Sequence, residues 1–116
     1  MGVSHIMNSA LSQKLDEIEA EMKRIGCWHA NPPDLQAKAA RGELRSYLDA
    51  PSFELWLQGL FLPNARHAAQ TQTLPSDSQV GLIAMRQYDY HSVVPEAHGL
   101  MKLLYEFDDL VRSHKK

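Results

Sequence analysis

The chain has 116 residues, a formal net charge of −2 and one cysteine. A chain of this length buries roughly 65% of its unfolded surface, enough for one core without staples, and its near-balanced charge speaks against a protein built mainly to grip phosphate backbone. Cys27 alone offers no disulfide framework and no thiolate metal cluster and fits a reducing cytosol, while the short apolar runs leave no membrane span.

The opening "MGVSHIM" lacks the basic start and apolar stretch of a signal peptide. Residues 1–7 read as a leader or vector-derived extension, and a single domain is expected over 8–113. The first helix is predicted over 9–25, because Leu11, Leu15, Ile18, Met22 and Ile25 recur on one helical face. Asn8 or Ser9 can cap it, and Gly26 stands where a left-handed residue ends a helix. "GCWHANPPD", 26–34, reads as a turn and loop, since the residue before each proline is pushed away from helix.

A weaker helix is predicted over 35–48, with Leu35, Ala40, Leu44, Tyr47 and Leu48 inward and Gly42 a costly interior residue. Asp49 then reads as the N-cap of a second long helix, over 50–71, with Pro51 in its first turn. Phe53, Leu55, Trp56, Leu57, Leu60, Phe61 and Leu62 leave only Glu54 and Gln58 polar, so this helix belongs in the middle of a core. Pro63 falls inside it. Its ring cannot serve the carbonyl four residues back, that of Gly59, and the chain is expected to kink there around its neighbours. The alternative is that the freed Gly59 carbonyl meets a ligand or partner.

After a loop over 70–78, Asp77 or Ser78 caps a short helix over 79–90, with Val80, Ile83, Ala84 and Tyr88 inward. The last helix, over 94–112, carries Ala97, Leu100, Met101, Leu104, Phe107 and Val111 at helical spacing. No segment alternates with period two. The expectation is all-α: a small antiparallel bundle of about four helices, with the proline kink in the second.

The residues that could carry chemistry form no recognised pattern. The histidines make no metal-binding pair, Cys27 follows a helix C-terminus that disfavours a thiolate, and Asp108-Asp109 reads as a solvated pair. No glycine-rich loop cradles phosphate. No catalytic, cofactor or metal residue is therefore assigned. Lys38, Arg41 and Arg45 would share one face of a helix through 35–48 and could touch phosphates. Trp28 and Trp56 read as core and not as base-stacking platforms. Outside the helices, the loop 27–33 holds the restricted, apolar residues Trp28, Pro32 and Pro33. Such a loop loses little entropy on binding, and tryptophan is a favoured interface anchor; if a protein partner exists, it is expected to meet this loop and the Lys38, Arg41 and Arg45 face, the alternative being that Trp28 folds back to cover the end of the first helix.

"CWHANPP", "YLDAPSFELWLQGLFLP" and "TLP", followed by the last amphipathic helix, resemble the YqcC family of bacterial proteins over about 10–112. The most specific block runs from Asp49 through Trp56-Leu57-Gln58 and Gly59 to Pro63, with Leu74-Pro75 following. The resemblance implies a small all-helical protein, and it makes these residues structural determinants. Some members are encoded beside tRNA pseudouridine synthase C, which implies a link to RNA modification. Two places depart from the family pattern: Asn64 stands where relatives usually have a basic residue, and the short third helix reads "IAMRQYDYH" where relatives often have a proline and a carboxylate. Three functions follow as expectations: a non-catalytic interaction module accessory to tRNA pseudouridine synthase C, a direct RNA binder using the basic face, or a small enzyme of unknown chemistry.

Overall fold

The structure, a computed structural model, describes residues 3–44, 49–71, 79–88 and 95–114. Every regular element among them is helical, and no strand occurs among the described residues.

Helix α1 spans Val3–Arg24. It starts earlier than the periodicity suggested, so Asn8 and Ser9, expected at its start, lie within it. Leu11, Leu15, Ile18 and Met22 are buried, as their spacing requires. Gly26 takes φ 81°. The Gly26 and Cys27 amides then return to the carbonyls of Lys23 and Met22, which satisfies the last carbonyls of the helix.

Helix α2 spans only Leu35–Ala40. The helix expected over 35–48 stops there because Gly42 takes φ 79°, a conformation that an L-side chain resists. The Gly42 and Glu43 amides close the end on Ala39 and Lys38. Asp34 caps the start, its Oδ1 accepting from the Ala37 amide at 3.0 Å. Leu35 is buried, but Ala40 is exposed. Tyr47 and Leu48 lie outside the described residues.

Helix α3, Phe53–Trp56, runs into a π-helical turn, Leu57–Phe61, and on into helix α4, Leu62–Thr71. The N-cap is Ser52, not Asp49: Ser52 Oγ accepts from the Leu55 amide at 3.1 Å. The π turn closes with the Leu62 amide on the Leu57 carbonyl, immediately before Pro63. A wide turn of this kind shifts the hydrogen-bond register by one residue, and Pro63 follows without ending the helix. The Gly59 carbonyl, which Pro63 cannot serve, accepts from Gln36 Nε2 at 3.1 Å. The donor that the sequence left open is thus a side chain of the same molecule. A Cβ on Gly59 would sit 3.3 Å from Leu35 Cδ1, so the glycine also lets α2 approach.

Helix α5 spans Val80–Arg86 and helix α6 spans His98–His114, with a 3-10 turn at Pro95–Ala97 before it. The expected caps Asp77 and Ser78 lie outside the described residues, and Gln79 makes no side-chain cap bond. Asp108 fills that role from α6. Its carboxylate accepts from the Val80 amide at 3.2 Å and the Gly81 amide at 2.8 Å. Asp108 is 2% exposed, which corrects its reading as half of a solvated pair. Only Asp109 is exposed, beside Arg112.

Helix α6 packs on α1 and α5, and α1 also packs on α4. Leu15, Ile18, Leu57, Leu62, Leu100, Leu104 and Phe107 belong to one continuous core. Leu35, Leu55 and Leu60 form a second, smaller cluster under α2. Trp56 touches both and stacks between Phe53 and Phe61, with ring centroids 5.9 Å away on either side. Trp56 is half-buried and packed against the core, not a fully enclosed member of it.

Candidate functional site

The loop between α1 and α2 is built from its two ends inward. Cys27 completes the α1 terminus, and Asp34 begins α2. Between them the main chain is gripped at His29. Its N–H donates to Gln58 Oε1 at 2.9 Å, and its carbonyl accepts from Gln58 Nε2 at 2.8 Å. Gln58 is 8% exposed and sits in the π turn. An amide side chain buried among leucines needs partners for both its ends, and one residue of loop backbone supplies both.

Trp28 is half-buried against the main core, and Lys23 Nζ lies 5.1 Å from its ring centroid. His29, Asn31, Pro32 and Pro33 are exposed. The result is a short projecting loop whose anchors are fixed and whose tip contains two prolines.

Two of the three cations of the expected basic face, Lys38 and Arg41, fall among the described residues. Lys38 is half-buried on α2, and Arg41 lies at the α2 C-cap. The helix ends at Ala40, so Arg41 lies just past its last turn. Arg41 Nε bonds Glu43 Oε2 at 2.8 Å, and that carboxylate raises the guanidinium's proton affinity further. Arg45, Leu74 and Pro75 lie outside the described residues. Asp49 and Pro63 are exposed, and Leu57 is buried.

The ionisable groups nearest the loop serve the fold. Burial, and then the charge of Glu54, pushes the Cys27 thiol up to about 11, the opposite of what a nucleophile needs. Tyr88, 3% exposed, donates its hydroxyl to Glu54 Oε2 at 2.6 Å. Burial first, and then that hydrogen bond, drives the phenol well above its ordinary range. Among the described residues no three His, Cys, Asp or Glu side chains converge as metal ligands.

Spacing rules did not assign Gln58 and Gln36 their roles. The available signal was polarity at a position flanked by large apolar residues. That signal marks a buried amide without naming its partner.

A family model described as "tRNA pseudouridine synthase C" (DUF446, a domain family of unknown function) matches residues 10–110. The chain belongs to this family. The DUF446 match runs from within α1 to most of α6, and therefore contains the loop, the Gln58 clamp and the π turn. No curated protein and no solved structure matches the chain. No helix among the described residues is long and apolar enough to cross a membrane.

Proposed function

We propose that the chain is a single YqcC-like domain over 8–113, an antiparallel helical bundle bent at Pro63, that serves in the cytoplasm as a non-catalytic accessory to tRNA pseudouridine synthase C. The family description over residues 10–110 carries the link to that enzyme. The surface offered to the partner is the 27–33 loop with Trp28, Pro32 and Pro33, together with Lys38, Arg41 and Arg45. The Gln58 grip on His29 supports this choice, because a loop already held in shape loses little freedom on binding. Arg41 is engaged with Glu43, which favours a protein contact over a phosphate-tracking groove.

The test is co-expression with the tRNA pseudouridine synthase C of the same organism, followed by co-purification of wild type and Trp28→Ala. Retention of the wild type, and loss of a Trp28→Ala variant that melts like wild type, is the expected outcome. Failure of the wild type to co-purify refutes the partner, and intact retention of Trp28→Ala refutes the role of Trp28. Salt-sensitive binding of tRNA by the chain alone, lost in Arg41→Glu, would move the reading to direct RNA binding.

A further inference from the structure

Helix α2 is attached differently from the rest of the fold. Its main packing is against the π turn, and its buried side chain, Leu35, belongs to the small cluster with Leu55 and Leu60 and not to the main core. Its polar attachment is one exposed amide: Gln36 Nε2 reaches the Gly59 carbonyl at 3.1 Å and Asn64 Oδ1 at 3.2 Å. Both termini are closed locally, by Asp34 at the start and by the left-handed Gly42 at the end. A segment capped at both ends and seated mainly by Leu35, with Ala39 beside it and one side-chain latch, can leave its seat without unravelling the helices beneath it.

We propose that residues 34–43 form a lid that opens as one unit, and that the Gln36 amide on the Gly59 carbonyl is its latch. Opening uncovers Leu55, Leu60 and the Gly59 carbonyl, all at one place. Fraying would instead release the α2 amides one after another. The amides of Ala37, Lys38, Arg41, Gly42 and Glu43 all bond within 34–43, and a helix this short does not persist in water once off its seat, so opening as one unit exposes the five together. This behaviour belongs to the fold alone and does not depend on the accessory role.

The geometry also supplies a lock. A Cβ built on Gly59 lies 3.4 Å from Leu35 Cβ, close to the roughly 3.5–4.5 Å that a disulfide spans. Leu35→Cys with Gly59→Cys, in a Cys27→Ser background, should therefore join lid and seat when oxidised.

The experiment is native-state hydrogen exchange on wild type, Gln36→Ala and the locked variant, oxidised and reduced. In wild type the five α2 amides are expected to share one protection factor, below that of the α1 and α6 core. Gln36→Ala should speed all five by about fivefold, the equivalent of one hydrogen bond, and leave the core amides unchanged. Oxidation of the double cysteine should slow the five amides, and reduction should restore the faster exchange. The lid is refuted if the α2 amides exchange at the core rate, or if they are graded along the helix. No response to Gln36→Ala refutes the latch. Gln36→Ala and wild type decide the matter alone should the double variant not fold.

Discussion

Replacing Gly81 with alanine sets two opposing effects against each other. Alanine is favoured over glycine by about 1 kcal/mol in a helix interior; Gly81 stands in the first turn of α5, so α5 by itself would gain at most that. Its new Cβ, however, would lie 2.7 Å from Tyr105 Cγ and 2.9 Å from Tyr105 Cα. The ring can rotate away, but the Cα belongs to the backbone of α6, so α5 must lift. Overpacking of this kind costs about 1–3 kcal/mol. The lift also stretches the Gly81 amide bond to Asp108, and weakening a hydrogen bond to a buried carboxylate adds about 1.5–3 kcal/mol. The net expectation is a loss of about 2–4 kcal/mol, a fall in melting temperature of roughly 10 °C for a chain this size. Urea unfolding followed by circular dichroism reads it, with an unchanged slope marking a true stability effect. Gly99→Ala is the control. Its Cβ would meet a Glu21 carboxylate oxygen at 2.6 Å, the tip of a side chain that can swing aside, so its effect should stay within about 0.5 kcal/mol. A Gly81→Ala variant as stable as wild type would refute the close α5–α6 approach, and with it the capping role of Asp108.

Three further outcomes are expected. Gln58→Ala removes both bonds to His29 at about 1–2 kcal/mol, and proteolysis within 29–33 should quicken more than the global loss explains. The Cys27 thiol should react slowly with alkylating reagents near pH 8 and speed up only toward its raised value of about 11; because the unfolded thiol ionises first, its contribution to stability is present below about pH 9 and falls as the pH climbs from there. Glu19 is held below its ordinary value of 4.5, chiefly by Lys23 and then by Arg66, against some desolvation. Its contribution is therefore present above pH 4.5 and lost as the pH drops through the lower folded value, and Glu19→Gln should flatten the acid limb of a melting-temperature profile.

What was legible in the sequence follows the range of the interactions involved. The buried faces of α1 and α6 and the left-handed Gly26 are local, set within a few residues, and periodicity located them. Gly42 is equally local, but its two possible roles, costly interior residue and helix stop, look alike until the backbone angle is known. The Ser52 cap was hidden because Asp49 and Pro51 form an equally good start signal nearby. Gln58 and Asp108 could not be placed from spacing, since their partners stand 29 and 28 residues away. A polar residue inside an apolar stretch tells a reader that a partner must exist, while the three-dimensional path of the chain decides which one it is.

The clamp on the loop holds position 29 by its peptide groups alone, so its grip takes no account of the side chain there. Any residue that keeps an amide hydrogen, which excludes proline, can stand at position 29 and still be held. Position 29 can therefore change its lettering while the backbone there stays put, which makes it a natural point for grafting a new side chain onto the loop.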